Sequence, residues 1–224
     1  MKNGKTALWV GLALTGLFLL WTALVCTVDV RGAGESGTAV GFAAMNCRFH
    51  QWTGVHMALY TLTDWLGLVP VGVCLAFAVM GMSQLVQRRH LGKVDGDILL
   101  LGVYYAVVMA GYLFFEAVPV NYRPILINGA AEASYPSSTT LLVLSVMPTL
   151  AFQVNRRAKK TWVRQMTGIF AAAFSLFMVV GRLIAGVHWL SDIVGGILLS
   201  GGWFCLYRAS VLLLVPKQTK GGDL

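Results

Sequence analysis

Charge is what this sequence has least of. Asp, Glu, Lys and Arg together make up 12% of its 224 residues, about half of the roughly 25% usual in soluble domains. It also lacks internal repeats, low-complexity tracts and any polar stretch long enough to fold as a soluble domain. What fills the space is apolar: 57% of the residues are hydrophobic and mean hydropathy is +0.72. About 20 apolar residues in a helix cross a bilayer. Six stretches qualify, at roughly 6–26, 66–86, 98–118, 138–154, 162–187 and 189–215. Backbone groups in hydrocarbon must bond within their own segment, so a helical bundle is the expected architecture. The predicted fold class is therefore all-α, with six transmembrane helices in one integral-membrane domain over 1–224. A shorter segment, 52–65, carries Trp52, Leu59, Tyr60, Leu62 and Trp65 and reads as a helix lying at the interface.

The net charge is +8, but its placement argues against nucleic acid as a partner. Thirteen of the 17 basic residues fall on one side of a six-span chain: Lys2, Lys5, Arg88, Arg89, Lys93, Arg156, Arg157, Lys159, Lys160, Arg164, Arg208, Lys217 and Lys220. The other side holds only Arg31, Arg48, Arg123 and Arg182. The positive-inside rule then places both termini in the cytoplasm of a plasma-membrane protein. The basic runs are orientation signals first and a lipid-headgroup patch second. The N-terminal apolar run exceeds the 7–15 residues of a signal-peptide core and lacks a nearby cleavage pattern, so it reads as an uncleaved first span. Most of the seven tryptophans sit near span ends, as interface anchors do. Gly195, Gly196, Gly201 and Gly202 suit close helix packing. Tyr104, Tyr105 and Tyr112 either line a lipid groove or fill the core.

Cys26 and Cys47 bracket an external Gly-rich loop, RGAGESGTAVGFAAMN. They are either a disulfide or two free thiols. Cys74 and Cys205 fall within spans as small core residues. Cys47, His50 and His56 do not have a zinc-site spacing, and no metal or other cofactor is expected.

The external side carries the chemistry. Arg123 lies in the loop AVPVNYRPILINGAAEASYPSS, and Arg182 lies in VVGRLIAGVHWLSDIVGG, ahead of His188 and Asp192. The last two are spaced by four, which stacks them on one helix face and lets the carboxylate fix the imidazole's tautomer. Singly, such residues also snorkel to water without a function. Together on one side of a membrane they point to a site. The stretch Tyr135-Pro136-Ser137-Ser138-Thr139-Thr140 opens the fourth span, with Pro136 suited to the first helical turn. Small polar residues there are ordinary caps. Hydroxyls and free N–H groups at a positive helix end also suit a phosphate. Two arginines can grip phosphate oxygens bidentately, and a neutral histidine can attack phosphorus.

Over roughly residues 50–215 these motifs resemble the type 2 phosphatidic acid phosphatase (lipid phosphate phosphatase) superfamily, which includes soluble acid phosphatases and vanadium haloperoxidases. The first family motif, Lys, six residues, Arg-Pro, here reads Glu116-AVPVNY-Arg123-Pro124. The second, Pro-Ser-Gly-His, reads Pro136-Ser137-Ser138-Thr139, and the third reads Gly181-Arg182-LIAGV-His188-WLS-Asp192. The resemblance implies phosphate binding by Arg123, Arg182, Ser137 and the Ser138 backbone. It implies His188 as nucleophile, Asp192 as its orienting partner, and no metal. Three positions depart from the family pattern: Glu116 for lysine, Thr139 for the histidine acid, and Gly181 for serine. Glu116 reverses a charge, and Thr139 is a poor proton donor. General-acid help is worth roughly 100- to 10,000-fold, and Glu116 or Glu132 could supply it if the loop brings one close. Without an acid, a lipid diphosphate suffers least, because its leaving phosphate is far less basic than an alkoxide.

The expected function is hydrolysis of a lipid phosphomonoester or diphosphate, with a slight preference for a polyprenyl diphosphate, through a phosphohistidine at the outer face. The alternatives are a lipid phosphotransferase of the same fold and a catalytically weakened relative that binds lipid phosphate. The partners expected are a lipid phosphate substrate and membrane lipids.

Overall fold

The computed structural model describes residues 2–215, and Lys217 and Lys220 of the charge argument lie outside them. The chain is mostly helical. Helix α1 spans Lys2–Thr27. A small hairpin, β1 (Arg31–Ala33) and β2 (Thr38–Val40), then leads into α2 (Ala43–Thr53), α3 (Met57–Leu66) and α4 (Leu68–Arg88). After a 3-10 turn come α5 (Gly96–Ala117), α6 (Ser138–Arg157), α7 (Thr161–Ile184) and α8 (Leu190–Leu214). Among the described residues, six segments are long and apolar enough to cross a membrane, with α3 and α4 joined as one 32-residue segment.

The region around 52–65 differs from its reading as one interfacial helix. Gly54 at φ 70° ends α2, and a new helix begins at Met57 that runs on through Gly67. Gly54 supplies a left-handed φ that a side chain would strain, so the break falls inside the expected helix.

Helix α8 is the axis of the bundle and packs antiparallel to α1. A Cβ on Gly11 would lie 2.8 Å from Leu206, and one on Gly202 would lie 2.7 Å from Thr15 Oγ1. Between helices in lipid the attraction is close packing rather than hydrophobic exclusion, so small residues decide where backbones meet. Gly195 serves a different purpose, since its missing side chain makes room for the Tyr135 ring, 2.7 Å from an ideal Cβ. Tyr135 is buried, and its hydroxyl is 2.7 Å from Thr22 Oγ1.

Gly4 of α1 meets Leu213 of α8, and Gly96 of α5 meets Val215, so these ends share one face of the bundle. At that face Asp97, only 4% exposed, pairs with Arg157 at 2.7 Å and Arg156 at 3.1 Å. Arg88 pairs with Asp95 at 2.8 Å. Part of the basic cluster is thus used inside the protein, tying α4, α5 and α6 together. One other expectation changes, and one open alternative is decided. Trp189 is buried rather than anchored at an interface, with Nε1 donating to Tyr122 O at 2.8 Å. Cys26 and Cys47 are unpaired thiols.

Candidate active site

The opposite face of the bundle gathers the residues singled out in the sequence. Arg123 sits in a tight loop between α5 and α6. Asn128 and Gly129 turn it with positive φ values of 51° and 77°, the Asn-Gly pattern of a hairpin turn. The flanks pair at Tyr122 and Ala133, and Arg123 N–H donates to Glu132 O at 3.0 Å. This hairpin presents the Arg123 side chain, 8% exposed, towards α3 and α7.

Arg182 lies near the end of α7 and is 1% exposed. Both guanidinium groups stand over the Tyr60 ring, at 4.8 Å for Arg182 and 6.0 Å for Arg123. Arg182 Nη1 also reaches Thr63 Oγ1 at 3.4 Å and Asp64 at 3.8 Å. Helix α3 therefore supplies a platform, Tyr60-Thr63-Asp64, that the sequence reading missed. Its signal was the three- and four-residue spacing of polar side chains in YTLTD.

The turn between α7 and α8 carries His188. Gly186 has φ +71°, and a Cβ there would lie 2.1 Å from Gly54 O. His50 Nε2–H donates to Gly186 O at 3.0 Å, and His56 N–H donates to Ala185 O at 3.0 Å. The α2–α3 break found above thus clamps the turn that places His188.

His188 precedes α8 instead of lying within it, so the predicted stacking on one helix face is replaced by a pairing across the helix start. Asp192 Oδ2 accepts the Trp189 N–H at 2.9 Å and so caps α8. It stands 3.8 Å from His188 Nδ1, an ion-pair distance too long for a hydrogen bond. Asp192 Oδ1 accepts from Asn121 Nδ2 at 3.0 Å. Asn46 supports the same helix start, donating to Ser191 Oγ at 2.9 Å and accepting the Ser191 N–H at 3.1 Å. Asn46 and Asn121 are 0% and 1% exposed. One asparagine in a short helix and one in a loop carried no sequence signal for this role.

Pro136 lies two residues before α6, outside its first turn, and Ser137 is the N-cap. Ser137 N–H donates to Asp192 O at 3.1 Å, which joins the starts of α6 and α8. The Ser137 hydroxyl caps nothing and has no partner. Ser138 lines two cavities, one polar and one apolar, whereas Thr139 lines only the apolar one. Glu116 and Glu132 line the polar cavity with Arg123, and Glu132 Oε2 is 3.1 Å from Arg123 Nε. That contact is an ion pair off hydrogen-bond geometry.

Six buried polar atoms here lack a hydrogen-bond partner: Arg123 Nε and Nη1, Arg182 Nε, Ser137 Oγ and both His188 ring nitrogens. Leaving such a group unmet costs about 1–3 kcal/mol. A concentration of buried arginine and serine donors suits an anion. Burial pushes the His188 imidazole down to about 4, with Arg123 and Arg182 acting the same way and Asp192 opposing them. At neutral pH the ring is uncharged and carries a free lone pair.

The profile of the PAP2 superfamily matches residues 98–214. The chain belongs to the PAP2 superfamily. Among solved structures it is similar to a transmembrane PAP2-type phosphatidylglycerolphosphate phosphatase from Bacillus subtilis. That similarity has a TM-score of 0.60 at 16% identity and covers 92% of this chain and 98% of the other. No curated protein matches. Membership supports phosphatase chemistry at the level of the family, in a protein with six membrane-crossing segments. The matched PAP2 region includes Arg123, Arg182, His188 and Asp192, whereas Asn46 and the α3 platform lie ahead of it.

Proposed function

We propose that this PAP2 protein is a lipid phosphatase of the plasma membrane that works at the extracytoplasmic face. The single observation that carries the reading is the set of buried, unpartnered donors on Arg123, Arg182 and Ser137 around an uncharged His188. The arginines hold the non-bridging oxygens of the phosphate. His188 Nε2, the nitrogen away from Asp192, attacks phosphorus. The bond from phosphorus to the leaving oxygen breaks, and the phosphoryl group passes to the ring. The imidazole now carries positive charge, which Asp192 at 3.8 Å offsets. Water then takes the phosphoryl group and restores the free ring.

A lipid tail has a matching place. An apolar cavity of about 440 Å³ between α4, α5 and α6 reaches Ser138 and Thr139, with Tyr105 and Tyr112 on its wall. Tyr104 is buried in the core instead. Thr139 offers no acid to the leaving group, so the reading favours a diphosphate such as a polyprenyl diphosphate over a monophosphate.

The test is phosphate release by detergent-purified protein, wild type beside His188→Ala, without added metal. The substrates are a polyprenyl diphosphate, a polyprenyl monophosphate and phosphatidate. The expected result is release from the diphosphate that disappears in the variant. Folded wild-type protein that releases phosphate from none of them overturns the reading and leaves a lipid-phosphate binder.

A further inference from the structure

The basic end of the bundle has a groove that the phosphatase site does not use. It lies between α6, α7 and α8 and has a volume of about 520 Å³. Pro148 of α6, Gly168, Ala171 and Ala172 of α7, and Phe204 of α8 line its apolar length. Asn155, Arg164 and Arg208 line it nearer the helix ends. The small side chains of α7 leave the space between the helices unfilled. At the deep end the Ser175 hydroxyl, 8% exposed, has no hydrogen-bond partner, so no polar contact bridges the walls there.

Length and charge together decide what fits. The lining runs from Arg164 to Ser175 on α7 and from Asn155 to Leu144 on α6. At a rise of 1.5 Å per residue each wall is about 16 Å long. That is about half of the roughly 30 Å hydrocarbon core, the depth of one leaflet. Arg208 lies inside α8, with the apolar run Val211-Leu212-Leu213-Leu214 between it and the helix end. Neither Arg164 nor Arg208 has a carboxylate partner among the described residues. A cation set within an apolar run is costly unless a counter-charge or water reaches it, and basic pockets between membrane helices suit anionic headgroups. A small free anion would meet the arginines but leave the apolar length unfilled. A phosphatidylcholine would fill the groove but bring a further cation towards them. A hydrocarbon chain below a net-negative headgroup satisfies both.

We infer that this groove binds one acyl chain of an anionic phospholipid from the adjoining leaflet, with its phosphodiester on Arg164 and Arg208. The site lies at the end of the bundle away from His188, so this lipid is held and not turned over. It fastens α6, α7 and α8 together where the groove separates them. The inference is independent of the phosphatase reading.

The test is lipid binding to full-length protein in neutral detergent, read by native mass spectrometry. The probes are phosphatidylglycerol and phosphatidylcholine with identical oleoyl chains. Wild-type protein is expected to bind phosphatidylglycerol at least about fivefold more tightly. Arg208→Gln removes most of that preference. Ala172→Phe, at an exposed position, fills the groove with both arginines still in place and also removes most of it. Arg89→Gln, at the end of α4 and outside the groove, leaves the preference intact, as does Arg182→Ala in the phosphatase pocket. Equal binding of the two lipids, or a preference that survives either groove substitution, overturns the site. A preference lost with Arg89→Gln, as a diffuse basic surface would give, or with Arg182→Ala, as binding in the phosphatase pocket would give, overturns it as well.

Discussion

At the scale of single residues, the site is built from buried groups that the protein itself leaves unsatisfied. Asn121 has the clearest indirect role, because its amide holds Asp192, which in turn stands behind His188. Asn121→Leu leaves a buried carboxylate oxygen without its donor, at about 1–3 kcal/mol. The expected result is a roughly ten- to hundredfold fall in kcat with KM little changed, since the phosphate donors are untouched. A rise in KM at constant kcat would place Asn121 in binding instead. His188 gives a second prediction. Its uncharged form persists down to about 4, below the usual value of about 6.5. The unfolded chain therefore binds the proton more readily, so the stabilising contribution is full above about 6.5 and is lost as pH falls towards about 4. The histidine limb of kcat/KM falls in the same range, near 4. A limb near 6.5 that belongs to His188 contradicts its burial.

At the scale of elements, the turn between α7 and α8 is held by chain far away in sequence. Gly186→Ala combines a left-handed backbone with a Cβ 2.1 Å from Gly54 O, and strain of this kind costs of order 1–3 kcal/mol. Thermal stability and activity both drop, whereas Gly201→Ala, whose Cβ meets Leu14 at an ordinary 3.5 Å, keeps both. Similar stability of the two variants would remove the turn from the account. This level was only partly legible beforehand. Apolar length and charge gave the crossing helices almost to their ends, because hydrocarbon thickness dictates both. The spacing of Arg182, His188 and Asp192 put them beside one turn, between α7 and α8. The break at Gly54 was not legible, since the helix signal continues across it on both sides. Asn46 and Asn121 were hidden because the partners that tie them to the site lie 71 to 145 residues away. Pairings of that range leave no local pattern.

At the scale of the whole molecule, one end is rich in basic residues and the other holds the site. Gly4 against Leu213 and Gly96 against Val215 put the start of α1 and the end of α8 at the basic end. On the positive-inside rule we propose that this end is cytoplasmic. In intact cells, with Cys26 and Cys47 replaced by Ser, a membrane-impermeant thiol reagent is then expected to label Ser36→Cys, in the hairpin at the other end, but not Lys159→Cys, between α6 and α7. The reverse pattern would turn the protein over and move its substrate to the other leaflet. Orientation matters to the chemistry because it fixes which leaflet feeds the apolar cavity beside Ser138 and Thr139.

The claim that joins these scales is that His188 takes a phosphoryl group held by Arg123 and Arg182. The most direct measurement is to quench turnover of a lipid phosphate with alkaline detergent and map the protein by mass spectrometry. The account predicts one phosphoryl group on the peptide carrying His188, absent in Arg182→Ala and His188→Ala protein. Turnover by wild-type protein that leaves His188 unmodified at every quench time, or places the phosphoryl group on another residue, contradicts it.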